Sequence, residues 1–388
     1  MTVTDESAPA GNELDPLRLR LAGLGRPPAP ADVAAAMRAE GQLVTDTALI
    51  ETLDALRRGS VGAGLLEPLL REPGVTDVLV NGADQVYVDR GRGLELVGFR
   101  FSGDEEVRRL AQRLAASVGR RLDDACPFVD ARLSDGTRVH AVLGTVAVPG
   151  TCLSLRVPAR RQLTLSDCVA SGALTAGGAQ VLARLVEAKL AFLVSGGTGS
   201  GKTTLLAALL GLVPHDQRIV IVEDSRELAP DHPHVVRMEG RPPNAEGVGA
   251  ITLTDLVRHS LRMRPDRLVV GEVRGPEIAD LLAAMNTGHE GGCGTVHANS
   301  ATDVPARLEA LAALGGLDRP ALHAQLASAL AAVVHITRQE GRRRVEGVSV
   351  LQVDERTGLV ATRTALQFTA DGRTQVGPGA ERLERLLR

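Results

Sequence analysis

Between residues 191 and 298 short apolar strand-like runs alternate with helical ones: "AFLVSG", "TTLLAALLGLV", "RIVIVED", "LTDLVRHSLRM", "RLVVGE", "EIADLLAAMN" and "GTVHA". Nothing else in the chain restricts the fold as much. A strand that is apolar at every position must be covered on both faces, and a helix between two strands lets them run parallel. The alternation therefore predicts an α/β domain built on a parallel sheet, with ligands at the carboxyl ends of its strands.

The first of these strands runs into "GGTGSGKTT", residues 196–204. Gly196, Gly201, Lys202 and Thr203 fit the pattern G-x-x-x-x-G-K-[ST]. Its glycines let successive backbone N–H groups curl around phosphate, and the helix that follows adds the positive end of its dipole. Gly196, Gly197, Thr198, Gly199, Ser200, Gly201, Lys202, Thr203 and Thr204 are the expected nucleotide-binding residues. Lys202 would reach the β and γ phosphates, and the Thr203 hydroxyl would ligate Mg²⁺. A glycine turn without a ligand would not need the flanking strand and helix.

Two more strands end in acid: "RIVIVED" in Glu223 and Asp224, with Glu227 beyond, and "RLVVGE" in Glu272. Such residues can be helix caps or solvated turn residues. Two such ends in one phosphate-loop domain fit a metal-bound carboxylate and a water-activating one. "NTGHEGGCGTVHANS" places His289 and His297 in glycine-rich surroundings, where contact with the terminal phosphate or a neighbouring subunit competes with an ordinary packed histidine. It is not H-E-x-x-H, so it carries no zinc-protease signature. Arginines cluster at Arg258, Arg262, Arg264, Arg267 and Arg274, and again at Arg132, Arg138 and Arg156. They form either a solvated basic face or a source of transition-state charge, which would favour a ring of subunits.

The 388-residue length suggests two domains. Residues 1–30 are polar and proline-bearing and predict a disordered tail, and residues 31–63 a helical appendage. Residues 64–157 read as a smaller α+β domain. It has a hairpin at "VTDVLVNG"/"QVYVDRG", a helix capped by Asp104 and stopped at Gly119, and strands around an Asp135-Gly136 turn. Residues 158–172 read as a linker, and 173–388 as the phosphate-loop domain with a C-terminal extension. The four cysteines form no C-x-x-C pair, and the N-terminus has no apolar signal segment. A net charge of −3, no Trp and one Tyr give little for a nucleic-acid groove or a base-stacking platform. Stable nucleic-acid binding is therefore not expected.

Taken in order, the phosphate loop, "IVEDSREL", "LVVGEVRG" and "GHEGGCGTVHANS" resemble the Walker A loop, aspartate box, Walker B segment and histidine box of the type II/type IV secretion ATPases. "VTDVLVNGADQVYVDRG", "DARLSDGTRVHAV" and "LSLRVP" resemble that family's N-terminal domain. The resemblance spans roughly residues 64–355. It implies a RecA-like ATPase domain after a smaller α+β domain, and a homohexamer using ATP and Mg²⁺ at the cytoplasmic face of the membrane. Its partner would be a polytopic platform protein, and its work pilus assembly or secretion. "AMNTGHEGG", "LRMRPDRLVVGEVRG" and "VNGADQVYV" look like the Tad/Flp pilus branch. By motif, the resemblance makes Glu223 the catalytic carboxylate, Glu272 the Mg²⁺-water carboxylate, His297 a site residue, and Arg138 and Arg156 the arginines facing phosphate. "EDSREL" departs from the usual aspartate-box wording, which leaves the general base open between Glu223 and Glu227. The alternatives are a DNA translocase or helicase-like ATPase, with DNA-stimulated hydrolysis, and a nucleotide-gated scaffold with negligible turnover.

Overall fold

The structure is a computed structural model describing residues 15–22, 29–50, 52–53, 62–158, 162–243, 247–339, 341–369 and 371–388. The chain divides into two compact units, Met1–Ala159 and Arg160–Arg388.

In the first unit, α1 (Asp15–Ala22) and α2 (Pro30–Ala39) share a small core of Leu17, Leu21, Val33, Ala36 and Met37. Part of the expected tail is thus helical. Leu17 and Leu21, four residues apart, supply the apolar stripe that α2 covers. Residues 1–14 and 23–28 lie outside the described residues. After α3 (Glu67–Arg71) come the strands β1 (Asp77–Asn81), β2 (Gln85–Asp89) and β3 (Leu94–Leu96), then α4 (Asp104–Ser117), then β4 (Phe128–Arg132), β5 (Arg138–Val142) and β6 (Cys152–Arg156). The strands form an antiparallel sheet in the order β3-β2-β1-β6-β5-β4. Strands β1, β2, β5 and β6 alternate with period 2: Val78, Val80, Val139, Ala141, Leu153 and Leu155 are buried, with Val107, Leu110 and Leu114 of α4 in the same core. Asp104 does not cap this helix. The cap is Gly103, and the Asp104 carboxylate instead accepts from the Thr151 N–H at 2.5 Å and the Thr151 hydroxyl at 3.1 Å, tying the helix start to β6. Gly119 does follow the helix in a left-handed conformation, φ 69°.

The second unit opens on α5 (Leu165–Ala170), inside the segment expected to be linker. Thr164 and Asp167 cap it reciprocally, and Leu165 and Cys168 are buried. Then follow α6 (Ala176–Glu187), β7 (Phe192–Gly196), α7 (Lys202–Leu210), β8 (Ile219–Glu223), β9 (Val235–Glu239), α8 (Leu253–Ser260), β10 (Arg267–Val273), α9 (Glu277–Asn286) and β11 (Cys293–His297). After these come α10 (Val304–Leu314), α11 (Arg319–Ala329), β12 (Ala332–Gln339), β13 (Arg342–Val353), β14 (Val360–Phe368), β15 (Thr374–Val376) and α12 (Ala380–Leu386). One nine-stranded sheet runs β15-β14-β13-β12-β7-β11-β10-β8-β9. The strands from β12 to β9 are parallel, and β13, β14 and β15 continue the sheet antiparallel.

Adjacent residues of the continuously apolar strands serve opposite faces. Phe192, Val194, Ile219, Ile221 and Val269 share a core with α6, α7 and α12. Leu193, Val222, Leu268, Val270 and Val296 share another with α8, α9, α10 and α11. The C-terminal extension thus supplies three of the nine strands, β13, β14 and β15. No described helix is long and apolar enough to cross a membrane.

Candidate nucleotide site

Parallel register brings Gly196, Glu223, Glu272 and His297 to one end of the sheet. His297 pairs with Gly196, and β10 lies between β11 and β8. At Gly196 an added Cβ would sit 2.1 Å from the Ile336 carbonyl oxygen of β12, so only glycine leaves room for this strand. Gly199 (φ 69°) and Gly201 (φ 98°) adopt conformations other residues rarely take, and they bend the loop back onto α7.

Lys202 is 8% exposed, and its Nζ donates to the carbonyls of Gly196 (3.0 Å) and Gly197 (2.9 Å). Burial lowers its pKa. Glu272 and Glu227 act in the opposite sense, which places both carboxylates within electrostatic reach of the ammonium. Glu272 is half-buried and accepts from Arg274 Nη2 at 2.5 Å, a contact that raises the Arg274 pKa. Thr203 stands in the first turn of α7. A hydroxyl and a carboxylate are hard oxygen donors that leave most positions to water and phosphate, the usual way Mg²⁺ is held. The donor set therefore fits that ion.

Glu223 and Glu227 sit in different surroundings. Glu223 is 3% exposed. Its Oε1 accepts from the N–H groups of Glu227 (2.9 Å) and Leu228 (2.8 Å), and Oε2 lies 3.8 Å from Arg237 Nη2. Burial raises its pKa against those hydrogen bonds. Space for the side chain comes from Gly271, where an added Cβ would lie 2.5 Å from Glu223 Cγ. Glu223 thus anchors the loop that carries Glu227. That loop is held a second time by Arg226, whose Nε donates to Glu239 at 2.8 Å.

Three features escape a reading of the sequence. Glu277, 3% exposed, accepts from the N–H groups of Arg274 (2.7 Å) and Gly275 (2.8 Å) and fixes the turn after β10; its position at a helix start was the available signal. Arg338 and Arg343 approach the phosphate loop from the extension. His289 precedes β11, at the opposite end of the sheet from His297, so the two histidines are separated by at least the length of that strand, about 13 Å.

In the first unit, Arg132 pairs with Arg138 and Arg138 with Arg156, so three arginines form a row across β4, β5 and β6. Buried Val139 and Leu155 point the other way, which puts the row on the outward face.

A family described as "Type II/IV secretion system protein" matches residues 60–378. A putative conjugal transfer protein of Mycobacterium tuberculosis is 55% identical over 81% of this chain and 91% of its own length. The type IV secretion system protein PtlH of Bordetella pertussis is 34% identical over 72% and 91% respectively. Among solved structures, the Legionella pneumophila ATPase DotB has a TM-score of 0.51 at 19% identity, covering 73% of this chain and 78% of its own, a likeness of fold. With the motifs, the RecA-like sheet and these relatives in agreement, the chain belongs to the type II/IV secretion ATPase family.

Proposed function

We propose that this chain hydrolyses ATP as a homohexameric motor, working with a polytopic membrane platform protein at the cytoplasmic face in Tad/Flp-type pilus assembly or secretion. The observation that carries the hydrolytic reading is the buried Lys202 on the phosphate-loop carbonyls with Glu272 and Glu227 in electrostatic reach. Lys202 leaves those carbonyls for the β and γ phosphates. Thr203 and Glu272 would hold Mg²⁺, which would supply charge neutralisation at the phosphates when bound. Glu227 orients and deprotonates the attacking water, and Glu223 is a positioning residue that fixes the loop beneath it. His297 stands at the phosphate end of β11 beside the loop strand. Arg138 and Arg156 are the arginines that supply positive charge to phosphate in the working ring. The Tad/Flp assignment rests on motif wording; the names of the relatives speak of conjugal transfer and type IV secretion.

The test is the ATPase rate and native mass of wild type, Lys202→Ala, Glu227→Gln and Arg156→Ala. The expected result is a hexamer that loses turnover in all three variants. A fully active monomeric Arg156→Ala overturns the ring and its arginine. Full activity in Glu227→Gln returns the base to Glu223. DNA-stimulated hydrolysis would favour a translocase.

A further inference from the structure

Strand β12 lies beside β7 and pairs antiparallel with β13, so this ribbon flanks the phosphate loop on the side away from β11. Its contact with the loop is close. The Ile336 carbonyl packs on Gly196, Arg343 Nε donates to the Gly199 carbonyl at 3.2 Å, and Arg343 Cδ lies 3.0 Å from where a Cβ on Gly201 would stand. Arg338 Nη1 lies 3.7 Å from the same point on Gly199.

Arg338 and Arg343 are also direct cross-strand partners in the antiparallel register. Directly opposed residues share one face of a ribbon, and like charges placed so repel. Neither guanidinium has a carboxylate at ion-pair distance among the described residues, whereas Arg226, Arg274 and Arg363 each have one. Among the described residues, two cations are thus held side by side against a loop that already carries Lys202, with no acid at ion-pair distance from either.

We infer that Arg338 and Arg343 form an in-chain clamp for the nucleotide polyphosphate, closing on it from the extension side. The inference rests on the reading that the loop binds ATP. It gives the β12–β13 ribbon a function: as part of the same sheet, it senses whether phosphate lies against the two guanidiniums. Arg343 exchanges its carbonyl bond for phosphate oxygens, and Arg338 gains a phosphate counter-charge.

The experiment titrates the full-length protein with a fluorescent ADP and a fluorescent non-hydrolysable ATP analogue. The proteins are wild type, Arg338→Ala, Arg343→Ala, the double variant, Arg343→Lys, Arg344→Ala and Lys202→Ala, each checked for unchanged melting temperature. A charge-assisted hydrogen bond predicts about tenfold weaker binding for each single clamp variant. The double variant should be weaker still, and Arg343→Lys intermediate. Arg344 faces the other side of the ribbon and its variant should bind normally. Binding within twofold of wild type in the Arg338 and Arg343 variants, with Lys202→Ala abolishing it, overturns the clamp and leaves the nucleotide site standing. A loss confined to Arg343→Ala also overturns it and makes Arg343 a tether of the loop. Wild type that binds neither nucleotide overturns both readings.

Discussion

The two ends of the nine-stranded sheet each bury a cation. At the carboxyl end Lys202 rests on two loop carbonyls; at the other end Arg267, 2% exposed, donates from Nη2 to the Val186 carbonyl and from Nε to Gln217, both at 2.9 Å. Burial lowers both pKa values. What differs is the cover. Over Arg267 the chain closes with Gly291, where a Cβ would lie 2.1 Å from Nη1, and Cys293, whose thiol burial pushes up to about 12. Over Lys202 lies a glycine loop with two carboxylates in electrostatic reach. A buried cation sealed by close packing holds a fold together. The same kind of charge on a loop that can exchange its partners is available for chemistry.

Substitutions at the two ends should therefore fail in different ways. The largest effect is expected from Lys202→Ala: a loss of about 100-fold or more in ATPase rate, with thermal stability near wild type, read by phosphate release and a melting curve. Arg267→Met should do the reverse. It strands the Val186 carbonyl and Gln217 and leaves a poorly filled site, costing about 2–4 kcal/mol in a denaturant titration while nucleotide affinity of the folded fraction is kept. If Arg267→Met abolishes binding without loss of stability, the distinction between the two ends collapses.

Gly271→Ala probes the coupling between strands at the site end. The new methyl displaces Glu223 and with it the loop bearing Glu227, so kcat should fall about tenfold or more with little change in KM for ATP. A purely structural glycine would lower stability and leave kcat per folded molecule unchanged.

The smallest effect concerns pH. Burial holds Glu223 above the ordinary carboxylate value of 4.5, so the native state binds its proton more tightly than the unfolded chain. Stability from this group is complete below pH 4.5 and is lost as pH rises through the folded value. Glu223→Gln has no such loss. The melting temperature of wild type relative to Glu223→Gln should therefore fall as pH increases past 4.5, and a constant difference would remove the buried-carboxylate account.

Much of this was legible from residues alone. The strands of the parallel sheet and the helices between them follow from apolar runs of the right length, and the phosphate loop from glycines at fixed spacing. Each is a local property: backbone freedom, strand apolarity and helix periodicity act within ten or so residues. The first-unit hairpin and the Asp135-Gly136 turn belong to the same class, with Gly136 at φ 90°. Helix α5 was missed because Thr164 and Asp167 form a short capping box in a polar stretch, and its burial depends on partners distant in sequence.

By itself the sequence determined that a phosphate loop ends one strand of a parallel sheet and that acids end two others. Only the tertiary structure decided the surroundings of each acid. Glu223 and Glu227 are four residues apart and chemically identical, and no local pattern separates them. Packing of β8 against β10 at Gly271 buries the first and ties it to backbone N–H groups, while the loop so formed carries the second within the field of Lys202. Strand order likewise laid Arg338 and Arg343, more than a hundred residues downstream, against the loop. Desolvation and charge proximity are properties of space. They are fixed only when strands distant in sequence become neighbours.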